Sequence, residues 1–132
     1  MALIVLDASV LIAFLDPDDE LHERSRAALH SPDVVDGEWV VPTTVCAELL
    51  VGAHRSGKRA VDLVNSFIDE GIDRVEPMTL PIARGAARIR AEHSRLSLAD
   101  AFVIATGDAV KADAVLTSDA AWERVSERIR LV

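Results

Sequence analysis

Short apolar runs of β type alternate along this chain with longer segments whose apolar residues recur at helical spacing. That alternation predicts a parallel sheet wrapped by helices, because parallel strands need a crossover long enough to hold a helix. The predicted strands are Ala2 to Leu6, Trp39 to Val41, Arg74 to Val75, Ala114 to Thr117 and Ile129 to Val132. After the first strand, Val10 to Leu15 reads as a short buried helix, and Asp18 or Asp19 caps a second that runs to about His30. Pro32 and Gly37 break the chain before the next strand. Pro42, Thr43 and Thr44 suit a strand-to-helix turn, and the helix that follows places Val45, Leu49 and Ala53 on one face until Gly57 stops it. Further helices are predicted over Ala60 to Glu70, ended by Gly71, over Pro81 to about His93, from a Ser97 cap to about Val110, and over Ala120 to Val125.

The 132 residues fit one domain, spanning 1–132, long enough to bury roughly 65–70% of the unfolded surface. With 50% hydrophobic and 27% charged residues and no Pro-, Ser- or Gly-rich stretch, the chain reads as globular, without linker or repeat. Its only cysteine, Cys46, cannot form an internal disulfide and reads as a small core residue, which points to a reducing, cytoplasmic setting. MALIVLDASVLIAFL lacks the basic start of a signal peptide, and Asp7 interrupts its apolar run. No apolar stretch approaches the ~20 residues that span a bilayer, so no membrane partner is expected.

Four carboxylates fall at strand ends or in the helix turns that follow: Asp7 after ALIVL, Glu48 after VVPTTVCA, Asp100 in SLAD and Asp119 after VLTS. Each has an ordinary explanation. Asp7 and Asp119 can cap helices, Ser97 and Asp100 have the spacing of a capping box, and Glu48 can face a helix dipole. The neighbours Val45, Ala47, Leu49 and Leu50 make the surroundings of Glu48 apolar, where an unpaired carboxylate is costly. Capping accounts for each acid separately but not for all four recurring at one sheet edge. Carboxylates at the C-terminal ends of parallel strands converge where the strand order reverses, and such a cluster favours a hard divalent cation, Mg²⁺ or Mn²⁺, over Zn²⁺. Ser9 and Thr117, each two residues from a cluster acid, can orient a carboxylate or serve ordinary turn chemistry.

A net charge of −8 opposes general attraction to nucleic acid. The charges are nonetheless segregated. Arg55, Lys58 and Arg59 lie in an acid-free HRSGKR stretch, and Arg84, Arg88, Arg90 and Arg95 face only Glu92 between residues 84 and 95. These clusters read either as solvated helix faces or as contacts for an RNA backbone. His22, His30, His54 and His93 show no ligand spacing and read as surface residues; Trp39, Trp122 and the phenylalanines read as core or interface.

At these residues the chain resembles the PIN-domain ribonucleases, in particular the VapC-type toxins of bacterial toxin–antitoxin pairs. The likeness runs the length of the chain through VLDASVLIA with Asp7 and Ser9, PTTVCAELLVG with Glu48, LSLADAFVIATG with Asp100, and AVLTSDAAW with Thr117 and Asp119. Each block alone is weak; their order and spacing together are specific. The resemblance implies a three-layer α/β/α sandwich, Mg²⁺- or Mn²⁺-dependent endonucleolytic RNA cleavage, dimerisation, and inhibition by a cognate antitoxin protein. It matches Asp7, Glu48, Asp100 and Asp119 to the family's acidic quartet.

The leading expectation is phosphodiester hydrolysis by a metal-activated water. Asp7 and Asp100 are then the principal metal ligands, Asp119 supports the metal or its waters, and Glu48 binds a second ion or positions the water. A phosphatase or phospho-acceptor with Asp7 as nucleophile is a second class, disfavoured because Ser9 stands where a paired acid is wanted. A non-catalytic module whose acidic crevice takes an arginine-rich peptide is the third.

Overall fold

The computed structural model describes all 132 residues, Met1–Val132. Five parallel strands, β1 (Leu3–Leu6), β2 (Glu38–Pro42), β3 (Arg74–Glu76), β4 (Ala114–Thr117) and β5 (Ile129–Leu131), form one sheet in the order β3-β2-β1-β4-β5. The chain lays down β1, β2 and β3 toward one edge, then returns to place β4 and β5 on the other side of β1. The strand order therefore reverses between β1 and β4, whose register pairs Leu6 with Leu116. That switch point is where an open α/β sheet leaves a crevice at the strands' C-terminal ends.

The two strands at the middle of the reversal, β1 and β4, are almost wholly apolar because helices cover both faces. Ile4, Val5 and Leu6 of β1 and Ala114, Val115 and Leu116 of β4 are all buried. The edges β3 and β5 are short and carry charge: Arg74 pairs with Glu76 at 3.2 Å and Glu38 at 3.6 Å, and Arg130 with Asp33 at 2.6 Å.

Seven α-helices complete an α/β/α arrangement: α1 (Ala8–Leu15), α2 (His22–Leu29), α3 (Pro32–Val35), α4 (Thr43–Ser56), α5 (Lys58–Ser66), α6 (Leu80–Glu92) and α7 (Leu98–Ala109). α7 lies on β1, β2 and β4, α1 packs against β4 and α4, and α6 packs along α7. Val45, Leu49 and Ala53 are buried together, as their shared face predicts. Cys46 is buried and unpaired, and Trp122, 1% exposed, anchors a 3₁₀ turn, Ala120–Arg124, to the core.

Local details depart from the sequence reading where side chains find other uses. The helix expected to start at Asp18 or Asp19 starts at His22 instead, because the acids close turns: Asp16 accepts from the Asp18 amide at 3.0 Å and Asp19 from the Leu21 amide at 2.8 Å. Pro32 begins the single turn α3 rather than only breaking the chain, since a proline at the first helical position has no amide to satisfy. Gly57, at φ +118°, both ends α4 and precedes α5 directly. The helix expected to reach Glu70 passes into a π turn, Phe67–Gly71, and a Cβ on Gly71 would lie 2.8 Å from Phe67 Cδ1. His22 is not a plain surface residue, for its Nδ1 donates to the Ala13 carbonyl at 2.8 Å and ties α2 to α1.

Gly107 is where α7 approaches the sheet most closely, and a Cβ there would stand 2.5 Å from Val115 Cγ2. Gly107→Ala is expected to cost about 1–3 kcal/mol in urea unfolding, outweighing the roughly 1 kcal/mol that alanine gains in a helix. Combined with Val115→Ala it is expected to cost less than the sum of the two single changes; strict additivity would show that the close approach does not limit the site.

Candidate active site

Asp7 leaves the C-terminal end of β1 with extended backbone and caps α1. Its amide still donates to the Leu116 carbonyl at 3.0 Å, so the residue is held by the β1–β4 ladder on one side and by the helix on the other. The residue is 8% exposed. Oδ1 accepts from the Ala8 amide at 2.8 Å, and Oδ2 accepts from Ser9 Oγ at 2.8 Å and Thr117 Oγ1 at 2.9 Å. The two hydroxyls are themselves oriented: Ser9 Oγ accepts from the Ser118 amide at 3.2 Å, and Thr117 Oγ1 from the Asp119 amide at 3.1 Å. With its backbone donor in place, each hydroxyl is free to point its own proton at Asp7.

Asp100 stands at the third position of α7 inside a complete capping box. Its amide donates to Ser97 Oγ at 3.1 Å, and its Oδ2 accepts from the Ser97 amide at 3.4 Å. Asp119 caps the 3₁₀ turn, with Oδ1 accepting from the Ala121 amide at 2.9 Å. Three of the four ordinary explanations are thus physically present. They use only part of each carboxylate, which offers about four acceptor positions.

Glu48 corrects its expected environment. Val45, Cys46 and Leu49 turn into the core, but Glu48 itself lies on the exposed side of α4, so the cost of burying it is not what marks this acid. Its pKa is nevertheless raised, first by partial desolvation beside the crevice, then by the charges of Asp7 and Asp100. Asp7 is raised as well, by burial above all; the bonds from Ser9, Thr117 and Ala8 pull the other way, and the Asp100 charge adds to the rise. Asp7, Glu48 and Asp100 therefore share one electrostatic neighbourhood. Asp119 is exposed, takes no part in these shifts, and joins the group through its backbone amide.

No three His, Cys, Asp or Glu side chains converge into a ready-made metal cage. The donor set is oxygen only, with repulsion that a cation would relieve. It fits an ion that keeps much of its water and takes few protein ligands, as Mg²⁺ does, better than a four-ligand Zn²⁺ site. Asp7 and Asp100 are the acids that could hold it. The amides of Ser118 and Asp119, which fix the two hydroxyls, were not legible in the sequence, because backbone donors carry no residue signature.

None of the basic residues proposed for RNA forms an ion pair with Asp7, Glu48, Asp100 or Asp119. Arg55 lies two turns, roughly 10 Å, along α4 from Glu48. Lys58 is paired with Asp62 at 2.9 Å and Arg88 with Glu92 at 3.5 Å, while Arg59 and Arg84 are exposed without an ion-pair partner.

A parallel five-stranded sheet between helices, with acids at its switch point, is a doubly wound α/β/α sandwich. The PIN domain family model matches residues 4–128, and the chain belongs to the PIN domain family, whose members are generally ribonucleases. Among curated proteins none matches the chain in sequence. Its fold is shared by FitAcB from Neisseria gonorrhoeae, at 22% identity and a TM-score of 0.76, covering 98% of this chain and 96% of that one. A toxin–antitoxin complex from Klebsiella pneumoniae gives 16% identity and 0.75 over 96% and 95%. A sarcin-ricin-loop-cleaving VapC toxin of Mycobacterium tuberculosis gives 20% identity and 0.75 over 92% and 93%. No helix is long and apolar enough to cross a membrane.

The raised carboxylates set a pH dependence for the metal-free protein. The folded form binds more protons than the unfolded form between the ordinary Asp value of 3.8 and the raised value of Asp7, so stability falls as pH rises through that window. Asp7→Asn is expected to flatten this fall, making the variant relatively more stable at pH 7 than at pH 4 in urea titrations without divalent ions. Parallel pH profiles for the two proteins would refute the strain assigned to Asp7.

Proposed function

We propose that this chain is a divalent-metal-dependent endoribonuclease and the toxin of a toxin–antitoxin pair. The observation that carries the reading is the buried Asp7 carboxylate at the switch point of the sheet, kept in one orientation by three donors and close enough to Glu48 and Asp100 for their charges to be felt there. Folding an acidic cluster costs stability, and a function that needs a cation there explains its retention. The toxin half rests on likeness to the Klebsiella toxin–antitoxin complex and the loop-cleaving toxin of M. tuberculosis, whose partners and substrate belong to those proteins.

Mg²⁺ or Mn²⁺, bound by Asp7 and Asp100, would supply positive charge against the scissile phosphate and lower the pKa of the attacking water. Ser9 and Thr117 keep the Asp7 oxygens aimed, so that no reorganisation is needed when substrate arrives. Glu48, exposed and with its pKa raised, is the best placed of the acids to accept a proton from the attacking water, or else it takes a second ion. Asp119 supports the ion or its waters. None of these steps requires a covalent enzyme intermediate. A phospho-acceptor role would leave a phosphoryl group trapped on Asp7, and no lysine or arginine contacts that carboxylate to assist it.

The acids also suit a second occupant. No cation contacts Asp7, Glu48 or Asp100 within the chain, so an arginine of an antitoxin protein can enter the same crevice and block it. A partner of this kind complements catalysis rather than replacing it.

Purified protein is expected to cleave structured RNA only with Mg²⁺ or Mn²⁺. Asp7→Asn and Asp100→Asn are each expected to lower the rate by at least about 100-fold, and undiminished cleavage by either would refute the assignment. Thr117→Val, which keeps the shape and removes the hydroxyl, is expected to lower activity or apparent metal affinity about 10–100-fold.

A further inference from the structure

We propose that the open cavity between the α6–α7 connection and the Ala120–Arg124 turn is a phosphodiester subsite, in which Arg95 and Arg124 hold the RNA backbone beside the acids. The inference deepens the ribonuclease reading and rests on it. The cavity measures about 570 Å³, within the range of about 300–1,000 Å³ that ligand-binding clefts occupy. One wall is the segment from Glu92 to Leu96, the other Ala120, Ala121, Arg124 and Val125.

Both walls lead directly into the acidic site. Arg95 lies two residues before Ser97, whose amide and hydroxyl fix Asp100. Ala121 receives the cap from Asp119, and Arg124 ends that same turn. Trp122, buried in the core, holds the turn in place, so Arg124 projects from a fixed support and not from a mobile loop.

The charge on the cavity is distinctive for so acidic a chain. Neither Arg95 nor Arg124 is in an ion pair, and the only acid lining the cavity, Glu92, is already paired with Arg88 at 3.5 Å. A strand of RNA meets net repulsion from a chain of charge −8 and from the acids themselves. Two uncommitted guanidiniums, on the chain segments that lead to Asp100 and away from Asp119, supply the local attraction that binding to phosphates requires. The basic stretch from Arg55 to Arg59 runs from the end of α4 into α5, and its lysine is engaged by Asp62. The expected ligand is single-stranded RNA, bound through its phosphates and without base selection at this cavity.

Binding is best read on Asp7→Asn protein without divalent ions, using a short single-stranded RNA of mixed sequence and a series of salt concentrations. Arg95→Ala and Arg124→Ala are each expected to weaken binding and to flatten the slope of log K against log salt by about 0.7. In the cleaving protein the same changes are expected to raise KM with kcat retained. Arg26→Ala, an equal charge loss on α2, serves as the control. Unchanged binding and slope in both cavity variants, or the same shift in Arg26→Ala, would overturn the subsite. Failure of the ribonuclease reading appears separately, as intact RNA with unsubstituted protein and Mg²⁺, while the binding series still reports on the cavity.

Discussion

The structure turns on one buried carboxylate. Asp7 occupies the point where β1 ends, α1 begins and the strand order reverses toward β4, and three donors reach it from two different strands' ends. An ionised group so enclosed costs free energy even when hydrogen-bonded, and the raised pKa expresses that cost. The same bonds make the site rigid. Ser9 links α1 to Ser118, Thr117 links β4 to Asp119, and both meet at Oδ2 of Asp7, so the crevice floor is a closed circuit across the switch point.

Helix capping and cation binding are usually weighed as competing explanations for an acid at a strand end. Here capping is what arranges the acids. Asp7, Asp100 and Asp119 each spend one or more acceptor positions on an amide at the start of a helical segment, and each still has acceptor capacity to spare. The caps fix the carboxylates in place, which would lower the entropic cost of binding an ion. Glu48 has no such anchor. It is placed by the apolar face of α4, whose burial determines which way the opposite face looks.

This division explains what could be read from the chain. The strand alternation was legible because β1 and β4 are buried on both faces and β3 and β5 fall at edges, each leaving its own pattern of apolar and charged residues. The capping box was legible because Ser97 and Asp100 carry it in their side chains. The start of α2 was not, since Asp16 and Asp19 had local amides to satisfy that compete with capping. Nor was the exposure of Glu48, because apolar residues flank it on both sides in sequence and the face shared by Val45, Leu49 and Ala53 does not by itself fix how wide the buried stripe is. Arg124 gave no signal either, being one arginine in a short turn; its relation to Arg95 exists only once the α6–α7 connection and the end of β4 are brought together.

The acidic balance and the proposed RNA substrate are reconciled by where charge is left unpaired. Surface cations at Lys58, Arg88, Arg128 and Arg130 are engaged by Asp62, Glu92, Asp108 and Asp33, so they contribute little field of their own. The acids at the switch point have no such partners and hold a concentrated negative charge. A phosphate strand approaching them would meet repulsion unless a cation sat between, and a bound cation would relieve the repulsion among the acids. In the proposed reaction substrate and ion would be mutually dependent, each neutralising part of what excludes the other. Such coupling would need an open coordination position for the phosphate, which a site saturated with protein ligands would not leave, and the acids of this crevice do not form a preassembled cage.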